Sequence, residues 1–152
     1  MFAKLAVGKE AEIELVNYLE SINIAAKLND NYLLRYDYDV IAEYNNKYTT
    51  FECKSDLMAK KTGNVAIEYW NSRKNEPSGI LITKARWWTH KIENIIWICE
   101  VKRLISFTND EKPDKLVTKG GDKNADLFIY KVDRFTSICR DLSTITNPED
   151  LL

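Results

Sequence analysis

Two aspartates, a glutamate and a lysine stand at spacings that let them share one surface: Asp37, Asp39, Glu52 and Lys54. The stretches around them, Leu33 to Ala42 and Tyr48 to Lys54, are rich in aromatic and β-branched residues, and Asn45-Asn46 between them supplies turn chemistry. A β-hairpin is expected. Counting outward from a two-residue turn at Asn45-Asn46 places Asp39 opposite Glu52 and Asp37 opposite Lys54. All four side chains then project from one face, while Val40, Phe51 and Cys53 project from the other, as a core-facing side should. Clustered carboxylates repel one another and raise each other's pKa unless a positive charge compensates. A hard divalent cation such as Mg²⁺ does so, takes oxygen ligands, and leaves room for water and a phosphate. Asp39 and Glu52 are the expected ligands of such an ion, which lowers the pKa of a bound water and offsets charge on a pentacovalent phosphate. Lys54, one pleat beyond Glu52, is placed to position or help deprotonate that water, or to stabilise the developing charge. The plainer alternative is a cross-strand ion pair on a solvated hairpin, worth about 0.2–1 kcal/mol.

These residues need supporting elements. Residues 3 to 22 read as a helix, with Leu5, Ile13, Val16 and Leu19 on one side and Glu10, Glu14 and Asn17 turned away. Glu12 lies on the apolar stripe with Leu5, Val16 and Leu19. An unpaired charge there would cost several kcal/mol, so Glu12 either pairs with a lysine or reaches the acidic cluster, directly or through water. Ser21 to Asn31 reads as a loop around a short extended stretch, and Asn64 to Trp70 as a third strand. That strand is expected to neighbour Glu52 and so to bring Glu68 near it, as a support for the ligands, as a partner for Lys54, or as a plain salt bridge. The polar stretch Asn71 to Gly79, with Pro77, closes the strand. Lys84 to Lys91 is expected to be helical, Asn94 to Val101 and Ala125 to Val132 to be strands, and Lys112 to Asn124, with Pro113 and Gly120-Gly121, to be a loop. The last dozen residues read as a short helix and a tail.

Composition narrows the chemistry. A chain of 152 residues, 45% hydrophobic and 30% charged, suits one globular domain spanning 1–152. Its apolar runs, such as Ile95 to Cys99, fall far short of the roughly 20 residues that span a bilayer, and no signal-peptide pattern opens it. A soluble cytoplasmic protein with no membrane partner is expected. Three cysteines, at 53, 99 and 139, form no CxxC pair and fit free buried thiols. A single histidine, His90, excludes sites built on His pairs, so any metal is held mainly by oxygen. The net charge of −1 hides an asymmetry: residues 54 to 91 hold 8 Lys and Arg against 3 Asp and Glu. Lys60, Lys61, Arg73, Lys74, Lys84, Arg86 and Lys91 are candidates for a phosphate-gripping surface, against the alternative of an ordinary solvated one. Trp87 and Trp88 read as core residues sooner than as DNA contacts.

Asp39-x12-Glu52-Cys53-Lys54, preceded by Gly8-x3-Glu12, resembles the signature of the PD-(D/E)XK nuclease superfamily, with a spacing similar to that of archaeal Holliday-junction resolvases. Lys54-Ser55-Asp56, Thr62 to Glu68, Ser78-Gly79-Ile80 and Trp88 resemble small phage-type members, so the likeness covers about residues 8 to 90. The resemblance implies an α/β fold with an αβββαβ core and a mixed central sheet flanked by helices. It implies Mg²⁺ or Mn²⁺ dependence and hydrolysis of a DNA phosphodiester, with Glu12, Asp39 and Glu52 as metal ligands and Lys54 as the catalytic lysine. The motif's proline is absent: Tyr38 precedes Asp39, and Asp37 is a rival for the aspartate's role. The leading function so implied is a structure-selective or repair-type endonuclease of a bacterial cell or phage-infected host, for which cutting branched DNA symmetrically needs a homodimer. The alternatives are a sequence-specific restriction or homing endonuclease and an inactive nuclease fold that only binds DNA.

Overall fold

The computed structural model describes residues 2–120 and 124–152, with side chains from residue 8 to 119 and from 124 onward. In chain order the elements are α1 (Phe2–Ser21), β1 (Ala25–Leu28), β2 (Val40–Tyr44), β3 (Lys47–Ser55), α2 (Ala59–Thr62), β4 (Asn64–Asn71), β5 (Glu76–Pro77), β6 (Trp87–Ile92), β7 (Ile95–Glu100), α3 (Val101–Asp110), β8 (Lys115–Gly120), β9 (Ala125–Lys131), α4 (Val132–Thr136) and β10 (Arg140–Asp141). Six strands form a mixed sheet in the order β1-β2-β3-β6-β7-β10, in which only β3 and β6 run parallel. Four more form an antiparallel sheet, β5-β4-β9-β8. This is the expected α/β class, with a mixed central sheet flanked by helices.

The hairpin forms in the expected register. Asn45 and Asn46 both adopt positive φ, 50° and 61°, as a tight turn between twisted strands requires, and Val40 pairs with Phe51 and Tyr44 with Lys47. Val40, Ala42 and Phe51 are fully or almost fully buried against Leu15 and Leu19 of α1. Along α1 the buried residues are Ala11, Leu15 and Leu19, whereas Ile13 is 47% exposed. At about 100° per residue Ile13 lies some 200° from Leu15, which corrects its expected place on the core side. Leu5, also expected there, lies outside the described side chains.

Three further expectations are corrected. The region from Leu33 to Tyr38 is not strand: a 3₁₀ turn at Tyr32–Leu34 occupies part of it, because the Asn31 side chain caps the Leu33 N–H (3.0 Å) and Asn29 Nδ2 donates to Leu34 O (2.8 Å) and Tyr38 O (2.9 Å). Such local bonds compete with a ladder. Lys84 to Lys91 is not a helix but leads into β6, the strand between β3 and β7. Trp87 packs into the α1 side of the sheet and Trp88 into a second core with Val65, Ile67, Leu104, Tyr130 and Phe135. A strand buried on both faces shows no alternation to read. Lys112 to Asn124 contains β8, an edge strand paired to β9, although Gly121, Asp122 and Lys123 lie outside the described residues.

α3, which leaves β7 at Val101, packs Val101 and Leu104 into that second core. The chain's end docks rather than trailing. Leu151 is fully buried, and the Trp87 indole N–H donates to its carbonyl (3.0 Å). All three cysteines are free thiols. Among the described residues no helix is long and apolar enough to cross a membrane.

Candidate active site

The face of the sheet opposite α1 carries Glu52 and Lys54, two of the candidate residues. Parallel pairing sets Glu52 beside Trp88 and Lys54 beside His90, so these four project toward the second sheet. Asp39 sits one residue before β2. Its N–H donates to Phe51 O (2.8 Å), and its Oδ2 accepts the Cys53 N–H (2.8 Å), which holds the carboxylate across the strand from Glu52. Glu52 is 12% exposed; its Oε1 pairs with Lys54 Nζ at 3.1 Å, and its Oε2 accepts from Thr83 Oγ1 at 3.0 Å. Lys54 Nζ lies 5.7 Å from the centre of the Trp88 ring.

Asp39, Glu52, Lys54 and Glu68 line one cleft of about 310 Å³. Glu68 arrives there from the second sheet: β4 pairs with β5 and β9, so the expectation that its strand lies beside β3 is corrected. The approach is set by Gly79, whose φ is +52° and at which a Cβ would stand 2.0 Å from Glu68 O. Asp37 is turned elsewhere. β2 has not yet begun at that position, so Asp37 is not opposite Lys54; its carbonyl accepts the Lys84 N–H (2.8 Å) and its carboxylate pairs with Lys84 Nζ at 3.7 Å. Glu12 pairs with Lys9 at 3.3 Å and is 17% exposed.

The electrostatics agree with this grouping. Burial, then the charge of Asp39, holds the Glu12 carboxyl above its ordinary value despite Lys9. Burial raises Glu52 as well, and the neighbouring Asp39 adds to this against the opposing pull of Lys54. For Lys54 burial works downward, but Glu52 and Asp39, with a smaller effect of Glu68, outweigh it and leave the ammonium above its ordinary value. Lys54 is therefore a cation at neutral pH, suited to stabilising negative charge rather than to accepting a proton. Burial also pushes the Cys53 thiol up, so it is not a nucleophile.

Among the described residues no three His, Cys, Asp or Glu side chains close into a ready metal cage. The donor set nonetheless fits a hard cation. Asp39 and Glu52 offer oxygen only, they raise the energy of each other's charge, and Mg²⁺ needs just one or two carboxylates when waters and phosphate complete its shell. Glu12 feels the charges of Asp39 and Lys54, although its own contact is the ion pair with Lys9 and it does not line the cleft.

The basic residues divide. Lys74 lines the mouth of the cleft; Lys60, Lys61 and Arg73 are exposed, the lysines on α2 and Arg73 in the turn after β4. Lys84 is exposed but pairs with Asp37, Lys91 pairs with Glu14 at 2.6 Å, and Arg86 donates to Leu152 O (2.5 Å) and stacks on Trp87. Several neighbours of the site escape sequence reading. Thr83 is one; Asp56 is another, accepting from the backbone N–H of Ala59 and Ala66 and from His90 Nε2 at 3.0 Å. A lone threonine or aspartate carries no pattern. Only Lys54-Ser55-Asp56 pointed toward the second of them.

No family model matches the sequence, and no curated protein matches it. Among solved structures, the chain is similar to Archaeoglobus fulgidus Hjc, a Holliday junction resolvase from an archaeal hyperthermophile, with a TM-score of 0.50 and 11% identity over 91% of this chain and 94% of that one. It is also similar to a bacterial homing endonuclease, I-Ssp6803I, with a TM-score of 0.49 and 17% identity over 66% of this chain and 67% of that one. Identities this low speak for the fold alone. With the mixed six-stranded sheet and α1 against it, the chain has the fold of the Archaeoglobus fulgidus resolvase.

Proposed function

We propose that the whole chain acts as one metal-dependent DNA endonuclease domain, selective for branched or damaged DNA structure. The observation that supports this most directly is the convergence of Asp39, Glu52 and Lys54 on one cleft, on a fold shared with a junction resolvase. Asp39, Glu52 and Glu12 would hold Mg²⁺ or Mn²⁺, which supplies Lewis acidity toward the phosphate and an acidified water. Water adds to phosphorus, one P–O ester bond breaks, the leaving oxygen takes up a proton, and the water loses one. Lys54 stabilises the extra negative charge on the phosphoryl oxygens as the two bonds exchange. Thr83 fixes Glu52 by its hydroxyl, and the Cys53 N–H fixes Asp39, so both carboxylates are oriented before substrate arrives. Lys74 at the mouth, with the exposed Lys60, Lys61 and Arg73, would hold the DNA backbone. Cutting two strands of a junction symmetrically would take two copies of the chain.

The experiment is cleavage of a labelled panel, comprising a four-way junction, a flap, a nicked duplex and a plain duplex, by wild type and Lys54→Ala in Mg²⁺ or chelator. Cutting that needs the metal and is lost in Lys54→Ala supports the reading, and the preferred substrate defines the selectivity. Cutting that survives in chelator or in Lys54→Ala overturns the assignment.

A further inference from the structure

We infer that Tyr32, Arg35 and Tyr36 form a stacking platform for an unpaired DNA base next to the scissile phosphate, an inference that rests on the nuclease reading above. Tyr32 is 72% exposed and Tyr36 59%, a large area of aromatic surface left in water at one place. The two rings are not free rotors. The Arg35 guanidinium lies 3.8 Å from the centre of the Tyr32 ring and 4.6 Å from that of Tyr36, and its Nη1 donates to Tyr32 O at 2.7 Å. One cation thus presets two aromatic faces, so little side-chain entropy remains to be lost when a ligand stacks on them.

The segment is anchored to the candidate active site. Asn29 Nδ2 holds the carbonyls of Leu34 and Tyr38, and the Asn29 N–H donates to Asp39 O at 2.8 Å, so the turn and the acidic residue are clamped by one side chain and its own backbone. Arg35 and Tyr36 line the same cleft as Asp39, Glu52 and Lys54. Tyr36 is three residues from Asp39, a chain distance of at most about 11 Å, which is within reach of the nucleotides flanking a phosphate held at Asp39. Lys74 adds a second cation at this mouth and Glu76 an acid.

Flat π faces beside cations recognise a flat π ligand with an anionic backbone, which is a nucleotide. In a paired duplex both faces of each base are already covered. Only a bulged, flapped or junction-splayed nucleotide offers a face to a tyrosine, and every base has one, so the platform reads the absence of pairing rather than sequence. This gives the structure selectivity a physical origin in named residues.

The test uses a duplex with one bulged 2-aminopurine and its fully paired counterpart, bound to the full chain with Ca²⁺ in place of Mg²⁺. Wild type is expected to bind the bulged form more tightly and to quench its emission. In Tyr32→Ala and Tyr36→Ala the bulged-over-paired affinity ratio falls on the order of 5- to 100-fold, and Tyr36→Phe restores it. Both rings are exposed, so the variants fold. Equal wild-type affinity for the two duplexes, or quenching untouched in both alanine variants, overturns the platform. Parallel Mg²⁺ cleavage by wild type and Lys54→Ala keeps the two readings separate. Lysine-dependent cutting with no base preference removes the platform and leaves the nuclease, whereas base preference without any cutting upholds the platform and removes the hydrolysis.

Discussion

Replacing His90 by phenylalanine should cost this protein a large part of its stability, although the new ring fills nearly the same space. His90 is 1% exposed and stands between two groups on the active-site side of the sheet. The Trp88 indole N–H, which can only donate, lies 3.2 Å from His90 Nδ1, so that nitrogen accepts and the proton resides on Nε2, which donates to Asp56 Oδ2 at 3.0 Å. Phenylalanine keeps the ring contact to Phe135, at 4.9 Å between centroids, but meets neither partner. A buried N–H left without an acceptor costs about 1–3 kcal/mol, and loss of one hydrogen bond to a carboxylate about 1.5–3 kcal/mol. Asp56 keeps the Ala59 and Ala66 N–H groups, which limits the second figure toward its lower end. The expected loss is therefore about 3–4 kcal/mol, a sizeable share of the roughly 5–15 kcal/mol available to a domain. At about 2–4 °C per kcal/mol for a chain of this size, the midpoint should drop by about 10 °C. Urea unfolding at pH 7 measures it, with Lys102→Ala, an exposed ion pair, as the comparison expected within about 0.5 kcal/mol of wild type. A change below about 1 kcal/mol for His90→Phe would refute the hydrogen-bond chain as a stabilising element.

Asp39→Asn should lower cleavage by at least about a hundredfold, while Asp37→Asn, whose side chain meets Lys84 outside the cleft, should stay within a few-fold; the reverse order, in single-turnover assays, would reassign the motif aspartate. Adding Mg²⁺ should raise the melting temperature of wild type, and Asp39→Asn or Glu52→Gln should abolish that increment, because only ligands of the native state shift it. Gly79→Ala should destabilise by about 2–4 kcal/mol, from the positive φ and from a Cβ forced onto Glu68 O, and thermal melts measure it. Stability should also pass through an acid optimum. Glu12 and Glu52 are raised, so their charged forms are a cost near neutrality that is relieved as pH falls through their folded values. Burial pushes Asp56 upward, but His90 and two backbone N–H groups outweigh it and hold it below its ordinary value. Its contribution is then present above about pH 4 and lost as pH falls through its folded value, and a pH series of urea midpoints reads both limbs.

The hairpin was legible because three independent signals coincide there: the Asn45-Asn46 turn, the alternation of Val40, Phe51 and Cys53 with Asp39, Glu52 and Lys54, and the strand-forming composition. β4 and β9 were legible from strand-forming composition alone. β6 was not, since Trp87 and Trp88 enter two different cores and erase the polar face that marks most strands. β8 was hidden by Pro113 before it and Gly120-Gly121 at its end, which read as loop. For the site, the sequence carried the residue types and the hairpin register, but not the second sheet's route. Glu68 reaches the cleft through a tertiary approach set by Gly79, and Thr83 through a turn 31 residues from Glu52. No periodicity encodes such contacts.

Stability and chemistry share one determinant here, the register of β2 on β3. A slip of β3 by one residue would turn Phe51, fully buried, toward the cleft, at about 1.5–3 kcal/mol for a large side chain exposed. The same slip would press Glu52 and Lys54 against Leu15 and Leu19 of α1, where neither Thr83 nor a hydrated cleft could serve them. Both penalties have the same sign. The apolar side of the hairpin therefore protects the placement of its polar side, and the Asn45-Asn46 turn that starts the register lies outside the cleft it serves. Substitutions at the turn should consequently reach activity through folding. An Asn46→Ala variant, forced to hold φ near 61° without the side chain that tolerates it, should lose stability while the protein that remains folded cuts at the wild-type rate per molecule. A lowered rate per folded molecule would mean that the turn does more than set the register.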